Sequence, residues 1–215
     1  KEMPVRVTVL GWSPFIPGDP DNSSLPVGGL EYVLENTSTK PQEMIFSYHA
    51  RNFLSWGKGV DAIKVMPHGF VLSQAGTEAE PHLQGDFAIF TDEDSPKINY
   101  CWFRGGWFDS LTMVWNAIES GLMPQSPAVE KGAPGASIFI PVTLMPGDKK
   151  TIRIYTAWYV PCSTLRIGEE PEDWNDNNVA PATLALERAD QGNYKPWYSS
   201  RFAGIDEVID YLLTR

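Results

Sequence analysis

The sequence predicts a mainly β protein, an antiparallel two-sheet β-sandwich with one short internal helix and a C-terminal helix. Three observations predict this fold class. Short segments with apolar residues at alternate positions recur along the chain, as expected for strands with one face on a core. Clusters of Gly, Pro, Asp and Asn separate these segments at the spacing typical of a sandwich. Two other segments have apolar residues at helical spacing and therefore predict helices.

Length and composition indicate one folded domain. The chain has 215 residues, of which 42% are hydrophobic and 12% aromatic, and this is enough to bury a sizeable core in a single all-β unit. We expect residues 1–200 to form the sandwich and residues 201–215 to form the C-terminal helix. The formal net charge of −10 excludes nucleic acid as a partner, because binding to phosphates requires clustered Lys and Arg. No apolar run is long enough to predict a transmembrane segment.

The first strands follow from alternation. Val5, Val7 and Val9 alternate with polar residues, which predicts a strand with one face on the core. Residues 27–36 predict a second strand with its acidic side chains on the solvent face. Further strands are predicted at residues 43–52, 62–66, 69–73, 86–91 and 98–103.

The late strands are predicted at residues 137–144 and 151–160. Between them, residues 145–148 contain Pro146 and Gly147, whose backbone preferences suit a tight turn. The pattern predicts that these two strands form a hairpin.

Two segments interrupt the β pattern. In the first, Asp109 can cap a helix that ends at Gly121. Its apolar residues at helical spacing are Leu111, Val114, Trp115 and Ile118. In the second, residues 202–212 form an apolar stripe opposite acidic residues, which is typical of an amphipathic helix. Residues 168–193 lack periodicity and predict an exposed connection.

No motif in the sequence predicts a cofactor or a metal site. A phosphate-binding glycine loop, a nucleophile elbow and zinc spacings are all missing. Residues 173–178 resemble a calcium loop but lack its glycine and its closing glutamate, so a solvated acidic loop is the favoured interpretation. Cys101 and Cys162 are too few for a disulfide scaffold, and two buried small residues are favoured over a bridge.

The tryptophans allow a second kind of function. Trp102 and Trp158 lie in apolar strand patterns and predict core positions. Trp56 and Trp107 adjoin glycines and are freer to face solvent, where a flat ring can stack on a sugar. For both residues, packing under a loop is the favoured alternative.

Three blocks of sequence carry a family resemblance. The first block is residues 13–27 together with residues 30–32 and 35–38. The second is residues 145–148 with the strand that leads to residues 157–161, and the third is residues 197–202. Together they resemble the N-terminal domain of glycoside hydrolase family 116, the non-lysosomal glucosylceramidase or bile-acid β-glucosidase type. The resemblance spans nearly the whole chain and departs at Cys162, where asparagine is expected.

The resemblance implies a supersandwich-like domain that docks on an α-helical toroid in which carboxylates perform the retaining hydrolysis of β-glucosides. This chain would then be an accessory domain without catalytic carboxylates of its own. No catalytic pair stands out among its 27 acidic residues. The resemblance also implies that the sandwich is incomplete at its N-terminal side, which leaves open sheet edges that favour a homo-oligomer of the fragment.

The turn-rich loop of residues 15–24 is the candidate surface for the substrate or the neighbouring domain. Its candidate residues are Phe15, Asp19, Asp21, Asn22 and Ser23. The alternative function is an independent carbohydrate-binding module with Trp56 or Trp107 as its platform. A third possibility is a purely structural assembly domain.

Overall fold

A computed structural model describes residues 3–55, 61–164 and 194–214 of the protein. The strands are β1 (Val5–Trp12), β2 (Val27–Asn36), β3 (Gln42–Arg51), β4 (Asp61–Met66), β5 (Gly69–Gln74), β6 (Gly85–Thr91), β7 (Lys97–Asn99), β8 (Gly135–Leu144) and β9 (Lys149–Tyr159). The helices are α1 (Pro20–Ser23), α2 (Ser110–Glu119), α3 (Trp197–Arg201) and α4 (Ile205–Leu213), with a 3-10 turn at Pro81–Leu83.

The strands form two antiparallel sheets, which confirms the predicted fold class. The larger sheet has six strands in the order β1-β2-β9-β6-β5-β4, and the smaller has three in the order β3-β8-β7. The smaller sheet packs on one face of the larger sheet, and helix α4 packs on the other. The larger sheet is therefore the middle layer and carries a core on each face.

Alternation along the middle strands supplies both cores. In β6, Ile89 points to the smaller sheet while its neighbours Ala88 and Phe90 point to helix α4. Ile152 and Ile154 of β9 belong to the first core, and the later part of the same strand belongs to the second. Strands that are buried on both faces lose the polar alternation of a half-exposed strand.

Strands β8 and β9 do not form the hairpin that the sequence predicts. The tight turn exists, since Asp148 N donates to Met145 O at 3.0 Å and Gly147 has a φ of 83°. However, β8 pairs with β3 and β7, whereas β9 pairs with β2 and β6. The turn carries the chain from one sheet to the other, because both strands have apolar residues to place in the interface between the sheets.

Asn36 joins two of the places where the chain crosses between the sheets, from β2 to β3 and from β8 to β9. Its side-chain Nδ2 donates to Lys40 O at 2.8 Å and to Leu144 O at 3.0 Å. Its backbone carbonyl accepts from Gly147 N at 3.0 Å. Asn36 is only 1% exposed, so its polar groups form their hydrogen bonds with the protein and not with water.

We expect the substitution Asn36→Asp to destabilise the fold by about 3 kcal/mol, because it places a carboxylate oxygen against two buried carbonyls that need donors. The free energy of unfolding from urea titration measures this effect. The exposed residue Asn116 provides the matched control, Asn116→Asp. Equal stability of the two variants would contradict the role of Asn36.

Strand β1 differs from its predicted environment. Val5 packs on the core, but Val7 and Val9 are exposed. The reason is geometric: β1 is the edge strand of the larger sheet, and the smaller sheet, with three strands against six, does not extend over it. A strand pattern thus predicts which side chains share a face but not how far the opposite sheet reaches.

Other boundaries also differ from prediction. The strand expected at residues 98–103 ends at Asn99, and Trp102, although buried, lies beyond it. Helices α1 and α3 and the 3-10 turn were not predicted. Trp158 is half-buried and not a full core residue. Cys101 and Cys162 are free thiols, as favoured; Cys101 is buried and Cys162 half-buried.

A polar network lies on the outer face of the smaller sheet. Trp102 Nε1 donates to Ser137 Oγ at 2.8 Å, and the same hydroxyl is 2.7 Å from His49 Nδ1. The other ring nitrogen of His49 is 2.9 Å from Ser47 Oγ. Burial lowers the pKa of His49 from its ordinary 6.5, so the folded state holds the neutral ring.

We expect the free energy of unfolding to decrease as the pH falls below 6.5, because His49 takes up a proton in the unfolded state before it does so in the folded state. In the variant His49→Gln this part of the pH dependence should disappear. The measurement is urea unfolding of both proteins across mildly acidic pH. The variant Asn116→Gln changes an exposed residue outside this network and keeps every histidine, so it should leave the slope unchanged; an equal loss of slope in both variants would count against the assignment.

Candidate interdomain site

The loop that contains the predicted candidates is held by its own side chains. Asp19 caps helix α1 by accepting from Asn22 N at 3.0 Å, and the side-chain amide of Asn22 binds its other oxygen. These hydrogen bonds, backbone before side chain, lower the pKa of Asp19, and the charge of Arg201 adds to the effect. Ser23 Oγ accepts from Ile16 N at 2.8 Å and donates to Ile16 O at 3.1 Å. Asp19, Asn22 and Ser23 therefore build the loop.

Helix α4 is attached to this loop. Tyr211 OH donates to Asn22 Oδ1 at 2.6 Å. Arg201, at the end of α3, has its guanidinium 5.3 Å from the ring centre of Trp197, 5.4 Å from Phe202 and 4.5 Å from Tyr211. A cation held against aromatic faces contributes to stability without needing a buried counter-ion.

Strand β9 holds the other side of the same helices. Tyr159 OH donates to Phe202 O at 3.0 Å, and this bond is buried. Tyr198 OH donates to Val160 O at 3.1 Å and accepts from Val160 N at 3.3 Å. The rings of Tyr159 and Tyr198 meet edge to face, 6.1 Å apart. The end of β9 thus fixes both α3 and the start of α4.

Three blocks that are distant in sequence converge around helices α3 and α4. They are the loop of residues 13–27, the strand end at 157–161 and the segment 197–202. The sequence indicated each block separately but gave no signal that Tyr211 and Arg201 join them. The convergent surface, called here the helix seat, fixes the direction of α4 relative to the larger sheet.

Phe15 is the candidate that the loop presents outward. It is 80% exposed, and Ile16 beside it is also exposed. Asp21 is exposed in the first turn of α1. The rigid base of the loop and the apolar tip at Phe15 together form a surface that a neighbouring protein could cover.

The two tryptophan candidates are not part of this site. Trp56 lies outside the described residues. Trp107 precedes helix α2 and is 95% exposed. Exposed apolar side chains continue along the same part of the chain, and they are Phe103, Phe108, Leu111, Trp115 and Leu122. Of the predicted apolar stripe of α2, Val114 is the buried member.

Helix α2 lies near the outer face of the smaller sheet. Its N-cap is Asp109, as predicted, with Thr112 N donating to Asp109 Oδ1 at 2.9 Å. Ile118 and Leu122 form one wall of a groove of about 510 Å³, and Ile45 and Pro141 form part of the other. The groove is mainly apolar and contains Glu43 as its one carboxylate.

Glycoside hydrolysis uses two carboxylates that flank the scissile bond. Each of three surface grooves contains at most one carboxylate, Glu43 in one and Asp86 in another. The carboxyl pKa shifts that are resolved, at Asp19 and Asp109, are downward, whereas a general acid needs a raised pKa.

Within residues 3–55, 61–164 and 194–214, no cluster of metal-binding side chains occurs, and no helix has the length and apolar character to cross a membrane. The calcium-like residues 173–178 lie outside the described part.

Fold and site together define a class: a two-sheet β-sandwich domain whose distinctive sequence blocks secure its terminal helix. The chain belongs to the N-terminal domain family of glycoside hydrolase family 116. It matches the family described as beta-glucosidase 2, glycosyl-hydrolase family 116 N-terminal domain, over residues 1–215. No protein with a curated function shows significant similarity to it.

Removing the Tyr159 hydroxyl tests the helix seat. We expect Tyr159→Phe to lower stability by about 1–2 kcal/mol, because the buried carbonyl of Phe202 loses its donor. Hydrogen exchange of the α4 amides should accelerate more than that of the sheet amides. The exposed residue Tyr194 gives the control Tyr194→Phe. Unchanged exchange in α4 would show that this bond does not hold the helix.

Proposed function

We propose that the chain is the accessory N-terminal domain of a retaining β-glucosidase of the glucosylceramidase-like type, and that it supports a helical catalytic domain of the same protein. Its family membership supports this role. In this proposal the acids that cleave the glycosidic bond belong to the catalytic domain, and the sandwich contributes none.

The observation that carries the proposal is the apolar tip at Phe15 on its fixed base. Phe15 and Ile16 are both exposed, and contact with a neighbouring domain would remove their apolar surface from water, which is favourable. The hydrogen bonds of Asp19, Asn22 and Ser23 fix the loop. Binding then loses little conformational entropy, because the surface is already in its final form.

The helix seat would fix where a neighbouring domain attaches, because it holds helix α4 from two sides. Helix α4 is held on one side by Asn22 through Tyr211 and on the other by Tyr159 through Phe202. The Phe15 tip extends from the loop that makes the first of these contacts. A domain that touches Phe15 and connects through α4 would be placed by two attachments from one rigid surface, which restricts its rotation.

Replacing Phe15 and Ile16 together by serine tests this docking. In the isolated chain we expect a change in stability below about 0.5 kcal/mol, because both side chains are exposed. In the two-domain parent enzyme we expect a lower melting temperature and a several-fold loss of activity towards an aryl β-glucoside. Calorimetry and initial-rate kinetics measure these two effects.

The control is Trp107→Ser, a larger exposed aromatic residue outside the loop. This substitution should change neither the melting temperature nor the activity of the parent enzyme. Docking through the Phe15 loop is wrong if the loop variant behaves like the unmodified parent enzyme. The accessory role is wrong if the isolated chain hydrolyses the aryl β-glucoside and loses this activity when one of its own carboxylates is replaced.

A further inference from the structure

The outer face of the larger sheet is only partly covered by helix α4. The helix covers Ala88, Phe90 and Ala157 of the middle strands. On the same face, the part formed by β1, β2 and the first half of β9 is open, and it includes Trp12. The open part has its own arrangement of side chains.

Trp12 lies flat on the sheet at this open face. Gly29 is its cross-strand partner, and a Cβ added to Gly29 would be 2.5 Å from atoms of the indole ring. One ring face therefore rests on the backbone of Gly29. Tyr155 meets the indole edge on, with ring centres 6.2 Å apart at 68°. Trp12 is still 37% exposed, and since one face and one edge are covered, the opposite ring face supplies much of this exposure.

A row of charged groups lies beside this aromatic pair. Glu31 and Arg153 are cross-strand partners, two positions along the strands from Gly29 and Tyr155. Arg153 Nε is 3.1 Å from Glu31 Oε1, and Arg153 Nη1 is 3.2 Å from Asp92 Oδ2. Tyr155 OH donates to the same Asp92 oxygen at 3.3 Å. Successive positions on one face of a strand are about 7 Å apart, which is comparable to the length of one sugar ring.

We propose that this open face binds a neutral oligosaccharide of pyranose sugars, with one ring on Trp12 and its hydroxyls on Glu31 and Arg153. The chemistry selects such a ligand in two ways. The free indole face offers a flat apolar surface that matches the C–H face of a pyranose. In the adjacent row one guanidinium is shared by two carboxylates, and the oxygens and N–H groups of this row offer hydrogen bonds to neutral hydroxyls.

Trp12 suits this role better than Trp107. A stacking platform must hold its ring in place before the ligand arrives, because an immobile ring loses little entropy on binding. Gly29 and Tyr155 hold the ring of Trp12. Trp107 is 95% exposed, so both faces of its ring are in solvent and the protein does not fix its orientation. The inference goes beyond the docking role, since it uses none of the residues of the Phe15 tip.

Titration of the chain with cellotetraose, followed by NMR of the indole N–H groups, tests the proposal. We expect saturable binding with the largest shift at Trp12. Trp12→Ala should weaken binding by about tenfold or more, the scale of one lost aromatic contact. Trp12→Phe, which keeps a flat ring, should retain part of the affinity, and Glu31→Gln should weaken it several-fold without changing the fold.

The control is Trp107→Ala, which should bind cellotetraose as the unmodified chain does. If Trp12→Ala fails to fold, Glu31→Gln and Trp12→Phe still report on the site. Three results would overturn the proposal: no saturable binding at millimolar cellotetraose, binding that Trp12→Ala leaves intact, or binding that Trp107→Ala abolishes. None of these results bears on docking through Phe15, which is measured in the parent enzyme.

Discussion

The side-chain amide of Asn36 is the interaction on which the sandwich most depends. At one end of the molecule the chain passes between the sheets twice, from β2 to β3 and from β8 to β9. Asn36 binds the carbonyl of Leu144, just before the second crossing, and that of Lys40 within the first. Backbone groups in a crossing turn cannot pair within a sheet, and buried ones must find partners elsewhere. One amide supplies partners to both crossings and so keeps the two sheets in register with each other.

Strand β9 of the larger sheet connects the Asn36 junction to the helix seat. Strand β9 begins beside Asp148, which binds Asn36, and ends at Tyr159, which binds the segment before α4. The same strand therefore serves both the junction between the sheets and the position of the terminal helix. The family blocks at residues 145–148 and 157–161 are the two ends of β9, which gives a physical reason for finding both in one sequence.

Periodicity predicted the strands well because burial on alternate faces is a local property. Residues 27–36 form β2 with the predicted bounds, and the cap at Asp109 was also correct. Sheet membership could not be predicted in this way, because a Pro-Gly turn reverses the chain equally well within a sheet and between sheets. The exposure of Val7 and Val9 likewise depends on how many strands the opposite sheet has, and no local pattern encodes that number.

The same limit applies to the site. Turn chemistry identified the loop with Asp19, Asn22 and Ser23, since their side chains bond to their own backbone or close neighbours. Their link to Tyr211 spans 189 positions and has no local signature. The sequence pattern did not single out Trp12, because an aromatic residue at the end of a strand often lies in a core. The position of its ring became visible only from the pairing of Trp12 with Gly29 on the neighbouring strand.

The place of β9 in the larger sheet has a consequence for how the protein forms during synthesis. This strand lies between β2 and β6, although more than a hundred residues separate it from β2 along the chain. Until the ribosome has released β9, the N-terminal pair β1 and β2 has no connection to the sheet formed by β4, β5 and β6. Such late closure makes folding slow and leaves strand edges unpaired on the nascent chain. A cell that makes this domain therefore has to protect a half-built sheet for most of its translation.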